Sequence, residues 1–121
     1  MYQAINIPTS TESSLTLLDL QRMVRLTLES QFEEPMWVRA EISELKVNRS
    51  GHCYLNLVEK GTSSGTPRAE ARAVIWRSAY AAIGAKFERA TGTPLSAGIA
   101  VLVRVIVTYH EVYGFSLQII D

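Results

Sequence analysis

A glycine turn runs directly into an alternating strand in the residues Ser50-Gly51-His52-Cys53-Tyr54-Leu55-Asn56-Leu57. Every second residue from Cys53 onward is apolar, so one face of this strand belongs in a core. The opposite face carries His52, Tyr54 and Asn56, whose imidazole, phenol and amide groups can stack on a nucleic-acid base or hydrogen-bond to it. Because aromatic residues also favour strands for packing reasons, an ordinary amphipathic strand explains this stretch equally well on its own.

The composition is typical of one globular domain. The chain has 121 residues, of which 47% are hydrophobic and 20% charged, and this size is sufficient for a single core. The apolar run over residues 101–107 is interrupted by Arg104 and is too short to cross a bilayer. A single cysteine, Cys53, favours a reduced, cytoplasmic setting, and the scattered histidines show no metal-ligand spacing. We therefore expect no membrane association, no metal and no cofactor.

Charge is segregated along the chain although the formal net charge is zero. Residues 1–45 carry three basic and seven acidic side chains, whereas residues 46–77 carry six basic and two acidic ones. The remainder balances. A basic middle segment is the electrostatic pattern of a nucleic-acid-binding surface, and chance clustering of surface charges is the alternative.

The sequence predicts a flexible N-terminal arm over residues 1–14 and one folded domain over residues 15–121. A helix begins after Thr16, which fits an N-cap because Asp19 follows three residues later. Its apolar residues recur at helical spacing, and we assign them to the core. They are Leu17, Leu20, Val24, Leu28 and Phe32.

From Met36 onward the hydrophobic period changes from 3.6 to 2, which indicates strands. We predict strands over residues 36–47, 52–59, about 71–76, 101–107 and 115–121, and a second helix over 78–90. This is the element order of an OB-fold, so the predicted fold is all-β with two helices. It is a five-stranded OB-fold Greek-key barrel preceded by an N-terminal helix, with the second helix between strands 3 and 4. An open five-stranded α+β sheet is the alternative. The last strand reaches Asp121 without a cap, from which we expect the chain to be part of a longer protein.

Several of these stretches resemble the N-terminal domain of the exodeoxyribonuclease VII large subunit. The matching stretches are residues 15–20, 37–43, 50–57, 72–77 and 101–104. The most specific are the Trp-Val-x-x-Glu-Ile-Ser run at 37–43 and the Ser-Gly-His-x-Tyr run at 50–54. The resemblance implies an OB-fold that binds single-stranded DNA and delivers it to a nuclease domain elsewhere in the parent chain. It also implies that the parent degrades single strands to oligonucleotides and works with a small subunit.

The candidate nucleic-acid site combines cations with aromatic rings. Binding of a single strand without sequence preference needs cations along the phosphates and aromatic faces for the bases. The first loop and the last hairpin frame the groove of OB-folds. The predicted contacts are Tyr54, Arg49, Arg72, His52, Lys46, Asn56, Trp76, Arg104, Tyr109 and Tyr113. As alternatives, Trp76 could pack under the second helix and His52 could only cap the turn. We expect Trp37 to be buried against the N-terminal helix.

No catalytic constellation is present in the sequence. Ser50 and His52 are too close together on a turn to act as nucleophile and base, and no third group orients the histidine. The carboxylates are scattered, without the pairs that a two-metal nuclease site needs. We therefore expect no enzyme activity from this chain alone. Two other functions stay open: an anticodon-type RNA-binding module of the same fold, and a domain that binds another subunit.

Overall fold

The computed structural model describes residues 13–62 and 65–121, which form a closed five-stranded barrel with two helices. The elements are α1 (Leu17–Gln31), β1 (Met36–Val47), β2 (Cys53–Glu59), β3 (Ala69–Ile75), α2 (Arg77–Thr91), β4 (Ala100–His110) and β5 (Gly114–Ile119). The order around the barrel is β1-β2-β3-β5-β4, with β4 paired back to β1 and β3 parallel to β5. The predicted fold class and helix order are confirmed, and the open sheet is excluded. The predicted arm lies outside the described residues except for its last two.

The core lies inside the barrel and follows the alternation of the strands. In β2, Cys53, Leu55 and Leu57 are buried, and β4 contributes its four alternating valines. β1 contains a bulge between Ile42 and Glu44, which shifts its register against β2 by one residue. Because of this bulge, Lys46 pairs with Tyr54, and the two side chains share the outer face.

α1 begins as the sequence predicts, with a reciprocal capping box. The Thr16 Oγ1 accepts a hydrogen bond from the Asp19 backbone N–H at 3.1 Å, and the Asp19 carboxylate accepts from the Thr16 N–H at 3.2 Å. The assignment of its apolar stripe to the core is wrong. None of the helix residues is buried, and the Leu17 and Leu20 side chains are 72% and 48% exposed. The reason is that the closed barrel fills its own interior with strand residues, so α1 packs against β4 without entering the core.

Two polar contacts attach α1 to β4 and the turn that follows it. The Tyr109 hydroxyl donates to the Gln21 Oε1 at 2.7 Å, and the Arg25 Nε donates to the Glu111 carboxylate at 3.0 Å. Within the described residues, neither helix is long and apolar enough to span a membrane.

α2 covers one end of the barrel. Its half-buried apolar residues pack against the strand core, among them Tyr80, Ile83 and Phe87. The helix ends at Gly92, whose φ of 78° is the left-handed conformation that favours glycine at this position. The helix therefore closes the barrel end between β3 and β4 and leaves the outer faces of the strands open.

Candidate nucleic-acid interface

A groove of about 650 Å³ runs over the outer faces of β2, β3 and β5 to the β4–β5 hairpin. Five of the predicted contact residues line it: Tyr54, Arg72, Trp76, Tyr109 and Tyr113. Thr108, Ser116 and Gln118, which the sequence analysis did not single out, add polar side chains to its lining. Thr108 and Ser116 are cross-strand partners, so only the β4–β5 register brings them together.

Tyr54 presents an accessible ring at one side of the groove. Its side chain is 43% exposed, and Lys46 lies directly opposite it on β1. On the other side its cross-strand neighbour is Val74, which is buried and lines the groove. An exposed phenol ring next to a lysine offers one surface for a base and one charge for a phosphate.

Arg72 connects β3 to the β4–β5 hairpin. Its Nη2 donates to the backbone carbonyls of Tyr113 and Phe115, the latter at 3.4 Å. A guanidinium has five N–H donors, so further donors are available for a phosphate. The Tyr113 side chain is 69% exposed, and its ring lies 4.7 Å from the ring of His110. Arg72 thus holds the hairpin that carries the most exposed aromatic ring of the groove.

Trp76 lines the groove next to the start of α2, and its ring packs against the ring of His52. The two rings meet edge to face at 5.0 Å, and the Trp76 side chain is 40% exposed. The His52 Nδ1 accepts a hydrogen bond at 3.0 Å from the backbone N–H of Arg77, the first residue of α2. His52 is half-buried and does not belong to the groove lining. The structure therefore gives His52 a helix-capping contact.

Four further predicted residues lie outside the groove lining. Lys46 is exposed near the end of β1, Arg49 is exposed in the loop that follows, and Arg104 is exposed on the outer face of β4. The Asn56 amide donates to the Ser43 Oγ at 2.9 Å and to the Glu70 Oε1 at 2.5 Å. These two hydrogen bonds use both donors of the Asn56 amide nitrogen.

The expectation that Trp37 is buried against α1 is wrong. Its side chain is 55% exposed, because it takes an outward position of β1 directly opposite Arg104 on β4. The next pair along the two strands is Val38 with Val103, and these side chains take the inward positions. The indole therefore stays outside the core, where it helps to line a pocket of about 310 Å³ formed by residues of the strands and of α2.

Within residues 13–62 and 65–121, no three His, Cys, Asp or Glu side chains come close enough to hold a metal ion. Cys53 is fully buried, and this burial raises the pKa of its thiol although a hydrogen bond with Tyr80 opposes the effect. A buried, protonated thiol is a poor nucleophile.

Comparison with known proteins agrees with this geometry. The family model for OB-fold nucleic acid binding domains matches residues 15–121. The exodeoxyribonuclease 7 large subunit of Deinococcus radiodurans is 38% identical over 91% of this chain, which corresponds to 27% of that protein. The same subunit of Geotalea uraniireducens is 31% identical over 83% of the chain and 22% of its own length. That of Rhodopirellula baltica is 33% identical over 57% of the chain and 14% of its own length.

This chain spans about a quarter or less of the length of these relatives. The similarity to the Deinococcus protein nevertheless extends over nearly all of the present sequence. The chain therefore belongs to the family of OB-fold nucleic acid binding domains, and its resemblance to the large subunit of exodeoxyribonuclease VII is confirmed.

Proposed function

We propose that this domain binds single-stranded DNA in the groove between β2, β3 and the β4–β5 hairpin. The observation that carries the proposal is that the exposed rings of Tyr54, Trp76 and Tyr113 line one concave surface together with Arg72. Bases of a single strand can stack on such rings, whereas a duplex keeps its base faces inside the stack. DNA is the favoured nucleic acid because the similar proteins are named exodeoxyribonucleases.

We also propose a role for this domain within a longer parent protein. The domain would deliver single strands to a nuclease domain outside these 121 residues, which would degrade them to oligonucleotides in the cytoplasm together with a small subunit. The names of the relatives support this role, as does the small share of their length that the chain covers. The domain itself would bind DNA without cleaving it.

A titration of a labelled thymidine oligonucleotide at several salt concentrations tests the binding. We expect the logarithm of the affinity to fall with the logarithm of salt by about 0.7 for each phosphate neutralised. Competition with RNA of equal length and sequence separates the two ligands. A preference for RNA would support the anticodon-type alternative, and no binding at low salt would contradict the proposal.

Two adjacent exposed residues of the hairpin provide a matched pair of variants. Tyr113 is 69% exposed and lines the groove, whereas Val112 is 75% exposed and does not. Tyr113→Ala should weaken binding by about 1–3 kcal/mol if a base stacks on its ring. Val112→Ala should leave the affinity unchanged. Equal effects of the two substitutions would mean that the groove is not the binding surface.

The proposed lack of nuclease activity has a separate test. The purified chain, incubated with labelled single strands and Mg²⁺ or Mn²⁺, should leave their length unchanged. Shortening of the substrate that disappears when one of the chain's own carboxylates is replaced would overturn this part of the proposal.

A further inference from the structure

The outer face of the β1–β4 pair carries a second combination of an aromatic ring and cations. Trp37 is 55% exposed and lies directly opposite Arg104. The next outward position of β1 is Arg39, whose partner across the strands is Leu102, 58% exposed. Trp37, Arg39, Leu102 and Arg104, here called the β1–β4 patch, do not line the groove.

The two arginines of the β1–β4 patch are exposed and have no ion pair among the described residues. Two nearby carboxylates already have partners. Glu41, further along β1, pairs with Lys60 at 3.0 Å, and Asp121, next to Arg104 in the backbone ladder, pairs with Lys86 at 2.8 Å. The guanidinium charges of the patch are therefore not neutralised within this part of the chain.

We propose that the β1–β4 patch is a second contact site for single-stranded DNA, outside the groove. One base would stack on Trp37, and Arg104 and Arg39 would bind neighbouring phosphates. Arg104 is the cross-strand partner of Trp37, and such Cβ atoms lie about 4.5–5.5 Å apart. Arg39 lies two residues along the same face of β1, about 7 Å away, so both long side chains can reach a base on the indole. Two unneutralised cations beside an exposed ring favour a polyanion that carries aromatic groups. This inference rests on the proposed function.

The position of the β1–β4 patch sets the length of DNA that can reach it from the groove. Thr108, which lines the groove, and Arg104 lie on the same side of β4 because they are four residues apart. At about 3.3 Å per residue, the separation along the strand is about 13 Å. A short oligonucleotide that fills the groove should therefore leave the patch free, and a longer one should occupy both.

The two tryptophans of the chain allow each site to be observed separately, since Trp76 lines the groove and Trp37 belongs to the patch. In the Trp76→Phe variant, an equimolar thymidine oligonucleotide of about 20 nucleotides should quench the fluorescence of Trp37. An oligonucleotide of about 6 nucleotides should leave the fluorescence of Trp37 unchanged. We chose these two lengths because OB-folds bind about 4–16 nucleotides. In Trp37→Phe, both lengths should quench Trp76.

Affinities give an independent measurement. Trp37→Ala should weaken binding of the long oligonucleotide about 5- to 150-fold and leave binding of the short one unchanged. For the long oligonucleotide, Arg104→Gln should reduce the slope of log affinity against log salt concentration by about 0.7, because one phosphate fewer is neutralised. Arg89→Gln, which removes an exposed cation on α2, is the matched control and should change neither. Melting curves confirm that each variant is folded.

The outcomes separate the inference from the proposed function. If Tyr113→Ala weakens both oligonucleotides while Trp37→Ala and Arg104→Gln weaken neither, the β1–β4 patch does not bind DNA and the groove does. Quenching of Trp37 by the short oligonucleotide at equimolar concentration would also contradict the inference. Absence of any DNA binding by the unmodified chain would overturn both proposals.

Discussion

The Nδ1 of His52 accepts a hydrogen bond from the backbone N–H of Arg77 at 3.0 Å, so a residue beside β2 caps the first turn of α2. The N-cap residue of α2, Trp76, has no side-chain hydrogen bond of this kind. The helix therefore obtains its cap from a residue distant in sequence. Since Trp76 also lies edge-on against His52, the same contact fixes the groove wall that Trp76 provides.

His52→Ala should destabilise the domain by about 0.5–2 kcal/mol, the usual cost of losing a helix cap. His52→Asn should recover part of this, because its side-chain oxygen can accept the same hydrogen bond. Urea unfolding of both variants measures the effect. Alkylation of Cys53 gives a local measurement, because this buried thiol is hydrogen-bonded to Tyr80 of α2 and should react faster when α2 opens.

A direct DNA contact by His52 would give a different result. His52→Ala would then weaken binding without changing the unfolding midpoint or the rate of Cys53 alkylation. His52→Asn would in that case fail to restore the affinity. This pattern would support the predicted contact between His52 and DNA.

Gly51→Ala should destabilise the domain more than Gly98→Ala. Both glycines have φ of +90°, a conformation that costs an L-residue about 1–2 kcal/mol. Only at Gly51 would the new Cβ also meet a side chain, the Cγ and Cδ of Arg77 at 3.1 Å. Thermal unfolding of the two variants gives the difference. In an Arg77→Ala background, Gly51→Ala should cost no more stability than Gly98→Ala does. If Gly51→Ala remained the more destabilising substitution there, contact with the Arg77 side chain would not be the cause.

The sequence predicts the barrel well because strand alternation and turn residues are local signals. The bounds of β1 and the capping box of α1 agree with the expectation, and α2 begins only one residue earlier than predicted. Local patterns are sufficient here because each strand of a closed barrel buries one face.

The exposure of Trp37 and of the apolar stripe of α1 could not be predicted in the same way. Helical spacing identifies an apolar face but not whether another element covers it, and the barrel interior is already filled by strand residues. The role of His52 depends on the position of Arg77, 25 residues later. The groove also combines Thr108 with Ser116 through the β4–β5 register, which no single stretch reveals.

Acid should weaken the attachment of α1. A hydrogen bond from its own backbone and a second one from Arg25 lower the pKa of Glu111, and hydrogen bonds from Thr16 lower the pKa of Asp19. When the pKa of a carboxylate is lower in the folded state than in the unfolded state, its ionised form stabilises the fold. This stabilisation is fully present above the ordinary carboxylate pKa of about 4, and it is lost as the pH falls through the lowered pKa of the folded state. Helical circular dichroism during thermal unfolding between about pH 6 and 3 measures this loss.

The matched variant for the acid experiment is Glu111→Gln, which cannot ionise. Its thermal midpoint should be lower than that of the unmodified chain at neutral pH and should fall less on acidification. An equally steep fall in both proteins would mean that Glu111 contributes nothing to the acid sensitivity.

Tyr54→Ala and Leu55→Ala should have opposite effects, because adjacent strand residues face opposite sides of the barrel. The Leu55 side chain is 5% exposed, and its truncation should cost about 2–5 kcal/mol of stability while leaving the groove lining intact. The Tyr54 side chain is 43% exposed and lines the groove, so its removal should spare the fold and weaken binding by about 1–3 kcal/mol. Melting curves and an oligonucleotide titration give both quantities for each variant. If Tyr54→Ala unfolded the domain and Leu55→Ala did not, β2 would face the other way and the Tyr54 ring would not line the groove.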